Sequence, residues 1–302
     1  MRLDRTLSLH LVHPLMRVGA SSDKVALPIL MYHGISDDPE PGVSAYYKTN
    51  TSPALFEQHL RCLNGKGFRS VDLDKAGRLL QQSWPKEEKF VAITFDDGFR
   101  NFYDVAFPLL KKYGHVATVY LLTGFIGENR RSFKGKECLT WREVRELRAH
   151  GIRIGSHTVN HSVLYGLSWN DIENELSISK QQIEQVLGEE ITSFAYPFAF
   201  PQHDRQFTEK FIQLLCRQGY QNSVTTMIGR VRPDDDLLRL KRLPVNSGDD
   251  VELFAAKLDG AYDWLSHPQS WFKSVRHRLG HTGRRESNLP AAPLTASSNS
   301  RL

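Results

Sequence analysis

The chain has 302 residues, 40 % of them hydrophobic, 24 % charged and 10 % aromatic, an ordinary globular composition with enough apolar material to bury one large core or two modest ones. Lys and Arg exceed Asp and Glu by 39 to 34, for a net charge of +5, yet no recognised nucleic-acid motif accompanies that charge, so nucleic acid is not expected as a partner. Cys62, Cys138 and Cys216 are odd in number and widely spaced, which excludes a disulfide framework or a zinc knuckle and favours a reducing compartment.

Met1-Arg2-Leu3-Asp4-Arg5 opens a stretch in which His10, His13, Pro14 and Arg17 interrupt any apolar run. Neither a signal peptide nor a membrane span is expected there, and residues 1–24 read as an N-terminal extension. A strand is predicted from Ala26 to Tyr32, ending at His33-Gly34. The Pro-bearing stretch from Asp37 to Thr51 is long enough to mark an active-site lid, with Tyr46 and Tyr47 on its rim. Ser52 followed by Pro53 starts a helix, because proline is tolerated at the first helical position. A short strand over Phe68 to Val71 precedes the apolar run Val91 to Phe95, and Ala117 to Leu122 forms the next strand. Thr140-Trp141-Arg142-Glu143 is a capping box with Val144 and Leu147 at core spacing behind it. Ile152 to Ser156 is a strand, and Ser168 opens a helix whose apolar stripe Ile172, Leu176 and Ile183 ends near Gly188. Then come a strand Ser193 to Tyr196, a helix carrying Phe207, Phe211, Leu214 and Leu215 and stopped at Gly219, and strands Asn222 to Thr225 and Leu240 to Val245.

Strands alternating with helices are the signature of a parallel sheet, and seven or eight such units point to α/β architecture closed as a distorted (β/α)7-8 barrel, here spanning residues 25–262. Residues 263–302 follow as a basic tail: Lys273, Arg276, Arg278, Arg284 and Arg285, then a Pro/Ala/Ser/Asn-rich end from Asn288 expected to be disordered. With Trp264, Trp271 and Phe272 beside it, this segment is a candidate for weak contact with a membrane surface, the alternative being a solvated terminus.

The chemistry concentrates at strand ends. Thr94-Phe95-Asp96-Asp97-Gly98 sets two carboxylates side by side, and like charges this close are costly without a counter-cation. Gly98 lets the backbone turn away. Gly155-Ser156-His157-Thr158-Val159-Asn160-His161 supplies two imidazoles at i and i+4, a spacing that shares one face of a helical turn. Imidazole with carboxylate suits zinc or a similar divalent metal, and three protein ligands leave an open position for catalysis. The favoured ligand set is Asp97, His157 and His161, with Asp96 left as a base on metal-bound water.

Thr-Phe-Asp-Asp-Gly followed by His-Thr-x-x-His resembles the NodB-type polysaccharide deacetylase family (carbohydrate esterase family 4) over about Leu27 to Tyr262. The resemblance implies a hydrolase, dependent on a divalent metal with zinc as first choice, that removes acetyl groups from N-acetylated sugars of a polysaccharide or its precursor. Its implied roles agree with the reading above. Phe194-Ala195-Tyr196-Pro197-Phe198-Ala199 resembles the Phe-Ala-Tyr-Pro branch of the family, although Phe198-Ala199 stand where Tyr-Gly is usual. The backbone N–H at Phe198 still serves as the expected oxyanion donor, since a main-chain donor survives a side-chain change. The Arg that orients the catalytic carboxylate in relatives is Ala195 here. Arg242, from a later strand, is the candidate replacement; the alternative is a surface charge at a strand end. The late Leu-x-His motif that supplies the general acid is also absent, for only His267, His277 and His281 follow Val245. Relatives of this branch can be circularly permuted, and His33 after the first strand is then the expected acid for the departing amine. In a closed barrel the first and last strands are neighbours. Cytoplasmic action is expected. Two other functions use the same features: a hydrolase of small non-glycan amides, and a non-catalytic sugar-binding relative.

Overall fold

The computed structural model describes residues 3–18, 25–81, 84 and 87–266. The basic segment from Lys273 to Arg285, the aromatics Trp271 and Phe272, the histidines His267, His277 and His281, and the tail from Asn288 lie outside the described residues.

Strands occur in chain order as β1 (Ile29–Tyr32), β2 (Gly34–Ile35), β3 (Asn50–Thr51), β4 (Phe68–Ser70), β5 (Lys89–Phe95), β6 (Thr118–Leu121), β7 (Ser132–Phe133), β8 (Lys136–Glu137), β9 (Arg153–Ser156), β10 (Ser193–Ala195), β11 (Asn222–Ile228) and β12 (Leu240–Pro244). The main sheet runs β1-β12-β11-β10-β9-β6-β5, and β5 pairs back onto β1, so seven parallel strands close into a barrel with β4 attached outside β5. The seam is in register at Leu30 with Leu243 on one side and at Tyr32 with Phe95 on the other. The expected barrel is therefore present, and its first strand sits between the last strand and the one ending in the carboxylate pair.

Side chains alternate across each strand, so one set faces the barrel axis and the other the helices. Ile29, Ala92, Tyr120, Ala195, Val224 and Leu240 pack together inside, above a floor made by Leu73, Ala76 and Leu80. Leu30, Tyr32, Ile93, Phe95, Val119, Leu121 and Phe194 face outward into the larger core under the helices. Tyr120 fits the narrow interior only because residue 155 is glycine: a Cβ there would come within 2.5 Å of the Tyr120 ring. The Tyr120 hydroxyl is then paired with Ser193 Oγ at 2.8 Å, so the buried polar atom is satisfied.

The predicted helix starts are real caps. Ser52 Oγ accepts from the Leu55 N–H, Ser168 Oγ from the Asp171 N–H, and Thr140 and Glu143 complete the reciprocal box. The helix Trp169–Leu187 ends on left-handed Gly188. The hairpin of β7 and β8 was not expected, since two-residue strands carry no periodic signal. Its turn, Lys134-Gly135, has positive φ at both residues (49° and 77°). Among the described residues no helix is long and apolar enough to cross a membrane.

Candidate active site

All the chemistry-bearing groups meet at the C-terminal end of the barrel strands, where parallel α/β barrels place their sites. β5 ends at Phe95, and the backbone then turns through left-handed Asp97 (φ 71°) and Gly98 (φ 64°). This turn points the two neighbouring carboxylates in different directions. Asp96 faces the barrel interior and Asp97 faces the 157–161 loop.

The two histidines do not lie on a helical turn. β9 ends at Ser156, and residues 157–163 form an irregular loop in which Thr158 (φ 75°) and His161 (φ 55°) are left-handed. The i, i+4 spacing therefore brings the rings together by a different route, with centroids 5.0 Å apart. The loop is held by Glu175, a residue that sequence reasoning passed over. One of its carboxylate oxygens accepts from the backbone N–H of Val159 (2.7 Å) and of Asn160 (3.0 Å), and the other from Asn160 Nδ2 (2.8 Å) and Ser162 Oγ (3.1 Å). A signal was available: Glu175 stands between Ile172 and Leu176 on the buried stripe of its helix, where a carboxylate needs a reason to be. Glu175→Ala removes the acceptors of two backbone donors and is expected to lower stability by about 2–3 kcal/mol, read as a shift in denaturant midpoint.

Asp97, His157 and His161 converge with their ligand atoms all within 4.8 Å of one another. His157 Nε2 lies 3.6 Å and His161 Nε2 3.5 Å from the same oxygen, Asp97 Oδ1. These distances are too long for hydrogen bonds. They are close to the roughly 3.3 Å that separates two ligands gripping one zinc-sized ion tetrahedrally at about 2.0–2.1 Å. Asp97 Oδ1 is buried and has no hydrogen-bond partner among the described residues. His157 Nδ1 pairs with the Ala195 carbonyl at 2.7 Å, which leaves Nε2 for a ligand role. His161 is oriented instead by ring contacts, 5.3 Å to Phe133 and 4.3 Å to Phe198. The donor set fits a divalent cation.

Arg242, on β12, is 1 % exposed, so the surface-charge alternative does not hold. Its guanidinium makes a two-pronged contact with Asp96, Nη1 to Oδ1 and Nη2 to Oδ2, each at 2.7 Å. Nε donates to the Thr225 carbonyl (2.9 Å) and Nη1 also to Thr94 Oγ1 (3.2 Å), so the fork is fixed by the two strands β11 and β5 as well as by Asp96. His33, just beyond β1, brings Nε2 to 4.0 Å from Asp96 Oδ2 and keeps 22 % of its side chain exposed. Phe198 adopts φ 57°, an outlier for a bulky residue; its ring is exposed, and its N–H donates to no described residue. Lys134, from the β7–β8 hairpin, lies over the Phe133 and Phe198 rings at 4.7 and 5.4 Å.

These groups line one cavity of about 180 Å³ that holds His33, Asp96, Asp97, His157, His161 and Phe198 together, with Thr49 and Lys134 at its side. Thr49 belongs to the loop anticipated as a lid. That loop is tied down by Glu40, whose carboxylate accepts from Thr49 and Asn50, and by Asn246 Nδ2, which donates to the Ala45 and Lys48 carbonyls. Tyr47 stands well exposed on it.

The two adjacent carboxylates are driven apart electrostatically. Burial is the largest influence on Asp96 and would raise it, but the Arg242 guanidinium and His157 outweigh burial and hold it well below the ordinary carboxylate range. Burial raises Asp97, and the Asp96 charge beside it adds to the rise against the pull of His157. Burial pushes His161 down to about 2, with His157 and Lys134 acting in the same direction. His33 falls to about 4, burial again leading and Asp96 partly opposing it. One carboxylate thus has a guanidinium built in as its counter-cation, while the other faces the imidazoles of His157 and His161.

A family model described as polysaccharide deacetylase matches residues 84–222. Over 233 residues the chain is 32 % identical to YxkH of Bacillus subtilis, a protein named for the same family, covering 77 % of this chain and 76 % of that one. It is 29 % identical over 182 residues to poly-beta-1,6-N-acetyl-D-glucosamine N-deacetylase of Staphylococcus epidermidis, covering 57 % of this chain and 60 % of the relative. Among solved structures, the deacetylase PplD of Streptococcus pyogenes in complex with acetate superposes with a TM-score of 0.65 at 29 % identity, over 76 % of this chain and 96 % of that one.

Proposed function

Because the chain belongs to the polysaccharide deacetylase family, and so is a hydrolase of carbon–nitrogen bonds other than peptide bonds, we propose that it removes acetyl groups from N-acetylated sugars of a polysaccharide or its precursor, with Asp96 as the base. The observation that carries this reading is one cavity holding a three-ligand cluster beside a carboxylate already charged and clamped by an arginine. Phe194-Ala195-Tyr196-Pro197 supports the Phe-Ala-Tyr-Pro branch. The position of β1 between β12 and β5 supports a permuted order, with His33 delivered by the first strand in place of a histidine from a last one. The working boundaries are an extension over residues 1–24, the catalytic domain over 25–262 and a basic tail over 263–302. The free cysteines suit a cytoplasmic setting.

Asp97, His157 and His161 would hold the divalent cation, with zinc the first choice for this donor set. When bound, such an ion polarises the acetyl carbonyl and acidifies water. Asp96, kept ionised and aimed by Arg242, takes a proton from the attacking water. The Phe198 N–H faces the oxygen on which negative charge develops and donates to it. An amine leaves only once protonated. His33 starts neutral, so the proton it delivers must be acquired on the way, and Asp96 at 4.0 Å has one to pass after deprotonating water.

The test follows acetate release from N-acetylglucosamine oligomers. Chelation is expected to lower it at least a hundredfold and added zinc to restore it. Release that never occurs under any metal would make the chain a binding relative, and intact oligomers with cleavage of small amides would move the substrate class. His33→Ala is expected to reduce turnover about a hundredfold while metal content stays unchanged. Full activity in that variant would remove His33 from the acid role.

A further inference from the structure

Beside the groups already given a role, the cavity holds one charge without a use. Lys134 lines it from the exposed turn of the β7–β8 hairpin, its ammonium 4.7 Å from the centroid of the Phe133 ring and 5.4 Å from that of Phe198. Two aromatic rings hold a cation in place without neutralising it. No carboxylate among the described residues pairs with Lys134: Asp96 is clamped by Arg242, and Asp97 faces His157 and His161. Lys136, on the returning strand, donates to Asn50 Oδ1 at 2.6 Å and likewise has no described carboxylate within ion-pair distance. Glu137 beside it is spent on Arg100, at 2.7 Å. The hairpin side of the cavity is therefore cationic, and both ammonium groups act with burial to depress His33.

The backbone supplies a second, independent observation. Phe133 pairs with Lys136, so Lys134 is the first of two turn residues and carries φ 49° ahead of Gly135 at 77°. A turn of that hand favours Asn, Asp or Gly at its first position, and a lysine there is held against its own preference. A residue unfavourable to its turn, standing at the mouth of a cavity with its charge unanswered, is accounted for by what enters the cavity. Phe198, whose ring the ammonium overlies, carries the N–H assigned to the developing oxyanion. An acetamido carbonyl directed at that N–H brings the same sugar, or its neighbour, against the hairpin. Hydroxyls and amides of a neutral glycan offer a lysine little that water does not. A carboxylate or phosphate oxygen offers a charge-assisted hydrogen bond.

We propose that Lys134 is a specificity-determining residue that recognises an anionic oxygen group, carboxylate or phosphate, on the acetylated sugar or the sugar next to it, so that the preferred glycan is acidic. This deepens the deacetylase reading and rests on it for the placement of the sugar. Calorimetric titration of the full chain compares oligomers alternating N-acetylglucosamine and glucuronic acid with N-acetylglucosamine oligomers of equal length, and the anomeric phosphate of N-acetylglucosamine with the free sugar. An exposed ion pair is worth little, so the acidic member of at least one comparison is expected to bind about fivefold tighter than the neutral one, by a margin that shrinks with salt. The two comparisons tell carboxylate from phosphate. Lys134→Asn suits the turn better than lysine and is expected to melt no lower than the parent, yet to bring the ratio under about twofold. Lys134→Arg is expected to keep it. Equal affinities in both comparisons overturn the proposal. So does a preference that survives Lys134→Asn, which would place the attraction on charge elsewhere. Binding is read apart from turnover: a Lys134-dependent preference in a chain that never releases acetate removes the deacetylase reading and keeps the anion site, and acetate release without a preference does the reverse.

Discussion

Arg242→Met is expected to abolish measurable deacetylation and to cost about 3–5 kcal/mol of stability, because it leaves the Asp96 carboxylate buried with no guanidinium beside it. Burial is the strongest influence on that carboxylate, and with the arginine gone it acts with only the histidine rings opposing it, driving the group toward its neutral form, which cannot accept a proton from water. The double variant Arg242→Met/Asp96→Asn separates the two effects. Removing both charges is expected to recover most of the lost stability, since neither partner is then left bare, while activity stays absent. Arg242→Lys keeps a cation but not the two-pronged geometry and should fall between the single variant and the parent. Denaturant midpoints and kcat for the four proteins provide the check. Parental turnover in Arg242→Met would reduce the arginine to a structural strut.

Asp96→Asn is expected to lower kcat by about 10³-fold or more while the chain still takes up one equivalent of zinc, because the proposed base is lost and the three converging groups are untouched. Asp97→Asn is expected to do the reverse, losing the metal first and activity as a consequence. Metal content by elemental analysis, measured beside acetate release, distinguishes them. Loss of zinc in Asp96→Asn with retention in Asp97→Asn would exchange the two roles. The asymmetry is rooted in one turn of backbone: left-handed Asp97 sends its oxygen to the histidines while Asp96 stays in the barrel.

The barrel was largely legible in the chain because its strands are apolar runs that end in polar residues and its helices begin with side-chain caps, both short-range signals. The carboxylate pair and the histidine pair were legible for the same reason. Their geometry was not. A helical turn for His157 to His161 follows from spacing alone, but the loop depends on Thr158 and His161 accepting left-handed backbone, and on Glu175 from a separate helix to hold it there. The first requirement leaves no local pattern, and the second leaves only a carboxylate on a buried helix stripe, without saying what it holds. Arg242 stayed divided between two readings until the fold was known, because its partner is 146 residues away and only closure of the barrel brings them together. The β7–β8 hairpin that carries Lys134 to the cavity was missed for the opposite reason, being too short for any period to register.

The seam that joins β12 to β1 and β1 to β5 also sets a timetable for synthesis. A growing polypeptide that has left the ribosome as far as residue 241 already contains Asp96, Asp97, His157 and His161, yet its last barrel strand is incomplete and Asp96 has no guanidinium to pair with. On the proposed roles, products terminated before Arg242 are expected to release no acetate. The Arg242–Asp96 pair can form only when nearly all of the barrel has been translated.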